Sequence, residues 1–150
     1  GVDAGPNMLS CARTAIERAG LTDRIELHQA KLSDCELPRI YYDAIISNSL
    51  LHHLADPLDL WRVARRYAGP DSPIFVMDLR RPDSLEAAAR LVEIHAAAEP
   101  EVLRKDFYHS LLAAYTPVEV RRQLETVGIR GLTVDLPSDR HLIVHGYLAR

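Results

Sequence analysis

The sequence has little of several features that would place it in a specialised class of protein. It contains two cysteines, Cys11 and Cys35, which have neither the spacing of a zinc site nor the density of a disulfide framework. We interpret both as small buried hydrophobic residues. No apolar run approaches the roughly 20 residues that a membrane-spanning helix needs. We therefore expect neither a disulfide-stapled scaffold nor a membrane protein. The expectation is a soluble cytoplasmic protein.

An excess of basic residues is also missing. The formal net charge is −3, and arginine pairs such as Arg80-Arg81 stand alone, so no nucleic-acid partner is expected. A metal site is not expected either, because His52 and His53 have no third ligand at a convincing spacing. The 150 residues suit a single domain in which folding buries roughly 68–70% of the unfolded surface.

Residues 41–60 lead from an apolar strand through a polar turn into a helix. Ala44-Ile45-Ile46 is too continuous for a half-exposed strand, and it predicts a parallel strand covered on both faces. Asp56 is the predicted N-cap of the helix, with Pro57 at the first helical position. Polar groups just past the carboxyl end of a strand face the ligand crevice of an open α/β sheet. The first candidates for small-molecule contact are therefore Asn48, Ser49, His52 and His53.

The flanking segments alternate strands with helices, which indicates repeated crossovers and a parallel sheet. Residues 1–5 resemble the end of a strand, and a helix opening at Pro6 would place Met8, Ala12, Ala15, Ile16 and Ala19 on one face and end at Gly20. Residues 25–29 and 73–79 are predicted strands.

Residues 82–115 interrupt this alternation, because they carry no strand signal and predict two helices broken near Pro100. A helical insertion after the carboxyl end of a strand can cover the crevice as a lid. Packing within a core is the more common use of such an apolar stripe.

The segment Thr116-Pro117-Val118-Glu119 is a capping box with proline at N1, which predicts a helix running to Gly128. Two strands close the chain, near residues 131–136 and 142–148. Because the connection between them is too short for a crossover, they must be antiparallel. We interpret His141 and His145, on one face of the last strand, as structural.

In order and spacing, these features resemble the class I S-adenosylmethionine-dependent methyltransferases of the small-molecule type. VDAGPNML (2–9) matches the second strand and following helix of that family, YDAIISNSLLHHLADP (42–57) its fourth strand, PIFVMDLRRP (73–82) its fifth, and AYTPVEVRRQLETVGI (114–129) the helix before its last two strands. The resemblance implies a Rossmann-like α/β fold, mostly parallel with an antiparallel C-terminal strand pair. It also implies truncation at the N-terminus, since the family's first strand and glycine-rich turn would precede Gly1.

The resemblance implies S-adenosylmethionine as the cofactor. Asp3 matches the acidic residue that binds the ribose hydroxyls, a role that suits a carboxylate because it accepts two hydrogen bonds at once. Ala4 and Met8 match positions against the adenine face, and Leu32 would offer its backbone N–H to the adenine ring. Lys31 departs from the family, which often has an aspartate there, because a lysine cannot accept a hydrogen bond from the adenine amino group.

The remaining implied roles belong to the transfer site. Asn48 and Ser49 match residues near the methionine end of the cofactor. His53 stands where many small-molecule members carry a histidine beside the reacting centre, and it is the candidate catalytic residue. The candidate contacts of a small-molecule methyl acceptor are His52, Arg80, Tyr108 and Tyr115.

The missing first strand leaves three possibilities for the sheet. Its neighbours pair directly, another chain supplies a strand, or the chain is a piece of a longer protein. We favour the last, and we expect an association between chains, as in a homo-oligomer, to cover exposed edges. We expect these 150 residues alone to bind the cofactor poorly. Two alternatives to methyl transfer stay open: an NAD-dependent oxidoreductase, since an acidic residue after a second strand also recognises NAD ribose, and a non-catalytic, degenerate binding or assembly module.

Overall fold

The structure is a computed structural model that describes residues 1–149. The chain divides into two compact units, residues 1–40 and residues 41–150; the prediction of a single domain stays a prediction. The elements of the described chain are β1 (Val2–Asp3), α1 (Pro6–Arg18), β2 (His28–Gln29), a 3-10 helix (Leu32–Asp34), β3 (Ile45–Asn48), a second 3-10 helix (Leu51–His53), α2 (Leu58–Tyr67), β4 (Ile74–Leu79), α3 (Leu85–His95), α4 (Glu101–Ala113), α5 (Pro117–Thr126), β5 (Leu132–Asp135) and β6 (His141–Gly146).

In the first unit, β1 pairs in parallel with β2, and α1 follows with proline at its first position. Gly20 ends the helical segment in the left-handed region, with φ of 66°, which glycine adopts at no steric cost. Leu9 is the buried residue of α1, at 1% exposure, whereas Met8 is 62% exposed. The predicted inner face is correct for Ala12 and Ile16, which are half-buried on the same side as Leu9, and wrong for Met8, Ala15 and Ala19, which are exposed.

Of the two cysteines, only Cys35 is buried as predicted. Cys11 is exposed, and the prediction for it was wrong. Successive helical residues are about 100° apart, so Cys11, two positions after the buried Leu9, points away from the buried side of α1.

The second unit contains a four-stranded sheet in the order β3-β4-β6-β5. β3 and β4 are parallel, while β6 is antiparallel to both β4 and β5. The predicted antiparallel pairing of the last two strands is thus confirmed. These strands are antiparallel because the connection between them is too short to hold a crossover. The predicted α/β fold class is confirmed as well.

One face of this sheet forms the core of the second unit. Val76 lies opposite Val144, which lies opposite Val134, and all three are buried. The neighbouring residue Phe75 points to the other face and is 40% exposed. The sheet therefore buries its two faces unequally.

Strand β3 differs from its prediction. Ile46 is 76% exposed, so the expectation that this strand is covered on both faces was wrong. Among the described residues β3 pairs with β4 alone, and Ile46 lies in register with Phe75 on the more open face. Within the apolar run only Ile45 is half-buried, while Ala44 and Ile46 are exposed.

Strands β1 and β3 belong to separate hydrogen-bonded sheets. The three possibilities for the sheet stay predictions.

Two helices, α2 and α5, contact each other and carry buried residues toward the core. The Asp56 carboxylate accepts a hydrogen bond from the Leu58 N–H at 2.9 Å. The predicted start of α2 was nevertheless wrong by one residue, because Pro57 is the N-cap and the helix begins at Leu58. The capping box of α5 is confirmed, with Thr116 and Glu119 each accepting from the backbone N–H of the other. Such caps fix where a helix starts.

The two helices predicted around Pro100 are confirmed as α3 and α4. Ser84 caps α3 by accepting from the Ala87 N–H at 3.1 Å. The helices share a small core formed by Ala88, Leu91, Val92, Ala96 and Leu111. Helix α4 also contacts the 3-10 helix Leu51–His53, so the insertion both packs on itself and rests against the segment after β3.

Within residues 1–149, none of the helices combines the length and the apolar character that crossing a bilayer would require.

The α2–α5 contact gives a stability prediction. The indole N–H of Trp61, which is fully buried, donates to Gln123 Oε1 at 2.9 Å. Gln123→Met leaves that donor without a partner and should lower the free energy of unfolding by about 1–3 kcal/mol in urea denaturation.

The matched control is Gln29→Met at an exposed glutamine, which should change stability by less than about 0.5 kcal/mol. A double-mutant cycle with Trp61→Phe isolates the hydrogen bond from the loss of packing. Equal stability of Gln123→Met and the unmodified chain would contradict the assignment.

Candidate active site

The turn after β3 holds a non-glycine residue in the left-handed region of backbone conformation. Asn48 ends the strand and is exposed, and Ser49 follows it with φ of 53°. A non-glycine residue in this left-handed region costs of order 1–3 kcal/mol and persists where its surroundings hold it. The Ser49 N–H donates to the Met77 carbonyl at 2.9 Å, which fixes the turn to β4.

Asp78, in β4, holds the next residues in place. It is 1% exposed, and its Oδ2 accepts from the Leu51 N–H at 2.7 Å. Its Oδ1 accepts from the Leu79 N–H at 2.8 Å and lies 2.5 Å from Nδ1 of His52. A buried carboxylate needs such partners to offset its lost hydration. Asp78 therefore joins β4 to the 3-10 helix Leu51–His53.

The two adjacent histidines have different environments. His52 is buried and His53 is exposed, and their ring centroids are 4.0 Å apart at an interplanar angle of 42°. Partial burial lowers the pKa of His53 below its usual value, and the nearby His52 lowers it further, while Asp78 acts in the opposite direction. His53 is thus a neutral imidazole at pH 7.

Arg80 and Tyr115, two of the predicted acceptor contacts, are brought together. They form a parallel bridge at the end of β4. Burial is the main reason that the pKa of Tyr115 is raised, and Glu119 and Asp56 raise it further, so its hydroxyl stays protonated at neutral pH. The Arg80 Nε donates to the Asp139 carbonyl at 3.2 Å, which ties this guanidinium to the β5–β6 turn.

Glu119 connects Tyr115 to a charged pair. It forms an ion pair with Arg81. Burial alone would raise the pKa of Glu119, but hydrogen bonds from the Thr116 N–H and from Arg81 outweigh it and lower the pKa. The region beside Tyr115 therefore combines a protonated phenol, which can donate a hydrogen bond, with the Arg81–Glu119 ion pair.

Tyr108 is placed elsewhere. It packs against the α3–α4 core and lines a hollow of about 410 Å³ between the two helices, together with Val92, Glu93, Arg104 and other residues of the hairpin. None of the other predicted site residues lines that hollow. The structure supports the core interpretation for Tyr108 more than a role beside the histidines.

The first unit holds the residues predicted to bind a nucleoside. Asp3 is exposed, and its Oδ1 accepts from the Gly5 N–H at 2.6 Å. A Cβ atom at Gly5 would lie 3.1 Å from that oxygen, so glycine lets the carboxylate sit over the turn. Its other oxygen makes no hydrogen bond to a described residue, and the site can accept from a ribose hydroxyl. Ala4 and Met8 are exposed next to it.

Leu32 opens the first 3-10 helix, directly after the exposed Lys31. The same helix presents a carboxylate that the sequence interpretation missed, that of Asp34, which accepts from Ser33 Oγ at 3.0 Å. Lys31 is the position at which the chain departs from the family. An aspartate only three residues later in the sequence was the signal that could have identified Asp34.

Asp78 is the other residue that sequence reasoning missed. The signal was an acidic residue inside the apolar strand PIFVMDL, since a charge in a buried strand needs a specific partner. Its partner His52, 26 residues away in the sequence, becomes evident only in three dimensions. Within the described chain no group of three or more histidine, cysteine, aspartate or glutamate residues could hold a metal ion.

Comparisons with known proteins agree with the geometry. A family model described as a methyltransferase domain matches residues 1–76. No curated protein sequence matches the chain.

Solved structures with the same fold include a SAM-dependent methyltransferase from Aquifex aeolicus, with a TM-score of 0.70, 20% identity, and coverage of 99% of this chain and 67% of that chain. The plantazolicin methyltransferase BpumL, in complex with a desmethylPZN analogue and SAH, has a TM-score of 0.74 and 15% identity, covering 100% and 66%. The S-adenosylmethionine-dependent methyltransferase SibL, in its apo form, has a TM-score of 0.68 and 21% identity, covering 100% and 43%.

The family match spans the strand ending at Asp3 and the turn from Asn48 to His53, and the topology agrees with it. The chain belongs to the methyltransferase domain family, and it shares its fold with these S-adenosylmethionine-dependent methyltransferases. It spans about two thirds or less of the length of these solved structures.

The His53 environment gives a pH prediction. Because the folded-state pKa of His53 is lowered, the unfolded chain binds more protons as the pH falls below about 6.5. His53 therefore costs stability on the acid side, and His53→Gln should flatten the decline of unfolding free energy between about pH 7 and pH 5.

Urea denaturation at a series of pH values measures the effect. His109→Gln, at an exposed histidine of α4, shows whether the loss of any exposed imidazole has the same result. A wild-type pH profile in His53→Gln would refute the assigned environment.

Proposed function

We propose that the protein containing these residues transfers a methyl group from S-adenosylmethionine to a small-molecule acceptor. The observation that carries the proposal is the strained turn from Asn48 to His53, which lies within the segment that matches the methyltransferase domain. Asp78, just after that segment, anchors the turn through its hydrogen bond from the Leu51 N–H. A polar, fixed turn at the carboxyl end of a parallel strand is where open α/β folds place their ligands.

The cofactor, when bound, supplies an electrophilic methyl group. The polar groups of the first unit suit its nucleoside part, because Asp3 has a carboxylate oxygen available as an acceptor and Gly5 leaves room for that carboxylate over the turn. Ala4 and Met8 present exposed apolar surface for a purine face, and the Leu32 N–H is proposed to reach the adenine ring. Asp34 can accept from the adenine amino group, the function that Lys31 cannot perform.

Asn48 and Ser49 are proposed to contact the methionine end of the cofactor. Methyl transfer is an in-line displacement, so the protein's main tasks are to align the acceptor and to exclude water. A rigid turn serves alignment, because a displacement of about 1 Å is costly to the rate. His53, His52, Arg80 and Tyr115 are the proposed acceptor contacts.

The structural relatives favour methyl transfer over an NAD-dependent reaction, and BpumL holds SAH, the demethylated cofactor. A non-catalytic module differs from the proposed enzyme in one measurable respect, since only the enzyme must bind the cofactor productively. Calorimetry with S-adenosylhomocysteine therefore separates the two.

The 150 residues alone should bind the cofactor weakly. Micromolar affinity needs about 8 kcal/mol, whereas hydrogen bonds to one charged group such as Asp3 supply about 1.5–3. Isothermal calorimetry of S-adenosylhomocysteine against residues 1–150 should show a dissociation constant well above the micromolar range. A low-micromolar constant would refute this expectation and would establish that these residues form a sufficient site.

Asp3→Ala in the full-length protein should weaken S-adenosylhomocysteine binding by about 10- to 150-fold, since it removes 1.5–3 kcal/mol of hydrogen bonding. Asp23→Ala removes a carboxylate from an exposed turn residue of the same unit and serves as the matched control. An unchanged constant in Asp3→Ala would remove Asp3 from the site.

A further inference from the structure

The buried Asp78–His52 pair is held by several hydrogen bonds in addition to packing. The His52 and Asp78 side chains are 4% and 1% exposed. Asp78 spans two elements, accepting from backbone N–H groups of both β4 and the 3-10 helix. The pair thus holds an imidazole rigidly beside the strained turn at Ser49.

The contacts of Asp78 assign the tautomer of His52. Both carboxylate oxygens already accept backbone N–H groups, so the carboxylate acts as an acceptor. The 2.5 Å contact with His52 Nδ1 is therefore an Nδ1–H donated to Asp78. When the ring is neutral only one of its nitrogens carries a proton, and with that proton on Nδ1 the lone pair lies on Nε2.

That lone pair is available. Nε2 makes no hydrogen bond to any described residue. It is also not among the fully enclosed unpartnered polar atoms of the described chain, which are Ser47 Oγ and Arg104 Nε. A rigid acceptor nitrogen, reachable from outside and backed by a carboxylate, is the arrangement used by general bases.

The neighbouring ring favours this role. His53 stacks at 4.0 Å, and its lowered pKa keeps it neutral. A neutral neighbour does not repel the positive charge that His52 would gain with a second proton, while the Asp78 carboxylate stabilises that charge.

Two other aspartate–histidine pairs show what is particular here. Asp139 lies 2.7 Å from His95 and Asp135 lies 2.8 Å from His145. Both pairs are on exposed surface, where exposed ion pairs contribute little, and neither touches the turn after β3. They supply matched controls.

We propose that His52 Nε2 accepts the proton from the hydroxyl or amine of the methyl acceptor, with Asp78 as the residue that positions it. This assignment rests on the proposed function and makes His52 the catalytic histidine in place of His53, the candidate that the resemblance implied. The acceptor's O–H or N–H bond breaks, its electron pair stays on the nucleophilic atom, and the proton forms a new bond to Nε2. His53 is left as the exposed contact for the acceptor.

The tautomer is tested by NMR of the full 150-residue chain labelled with ¹⁵N-histidine, at pH 7.5. His52→Gln assigns the His52 signals among the seven histidines. We expect a protonated Nδ1 and an unprotonated Nε2 in His52. A protonated Nε2, in either the neutral or the charged ring, would overturn the proposal without any variant of Asp78.

Asp78→Asn should release the ring into a mixture of tautomers, whereas the control Asp139→Asn should leave the His52 signals unchanged. If Asp78→Asn does not fold, the wild-type tautomer still decides whether Nε2 is an acceptor. A folded Asp78→Asn chain with unchanged His52 signals would refute the positioning role.

In the full-length protein, S-adenosylhomocysteine release is measured with a panel of small phenols and amines. His52→Gln should lower kcat by about 10²- to 10⁴-fold while the S-adenosylhomocysteine dissociation constant stays the same. An unchanged kcat in His52→Gln would refute the role of His52 as proton acceptor and leave the proposed function standing. Failure of the unmodified protein to transfer any methyl group would refute the proposed function, and with it the source of the proton, while an Nδ1–H tautomer would still stand.

Discussion

The carboxylate of Asp78 is the interaction on which the candidate site depends. Buried without partners, it would cost several kcal/mol, so the chain has to supply donors from wherever they are near. It does so with the N–H groups of Leu51 and Leu79 and with the His52 ring. Hydrogen bonding to one buried charge therefore fixes the start of the 3-10 helix after β3 and the orientation of one histidine. The same 3-10 helix is the segment that α4 contacts.

Strain and anchoring occur together at this point. Ser49 holds a left-handed backbone conformation that its side chain does not favour, and it is kept there by its own bond to Met77 and by the Asp78–Leu51 bond two residues on. A strained turn between two anchors has little freedom to move. Such rigidity is useful to an enzyme whose task is alignment, because the geometry exists before the ligand arrives.

Most of the fold of the second unit could be predicted from local patterns. The capping box at Thr116, the break at Pro100 and the short β5–β6 connection each act over a few residues, so each specifies its element without help from the rest of the chain. The exposed Ile46 could not be predicted in this way. Its apolar neighbours indicate a strand, whereas its burial depends on which strands and helices lie beside it, and those are distant in sequence.

By itself the sequence determined the alternation of strands and helices, the family to which the chain belongs, and the polar set Asn48, Ser49, His52 and His53 after β3. These follow from short-range steric preferences, capping and the order of motifs. Only the tertiary structure decided which histidine is buried against Asp78 and which faces solvent, because that choice is made by a carboxylate 26 residues away. Hydrogen bonding of a buried charge is a long-range constraint, and no local pattern encodes its partner.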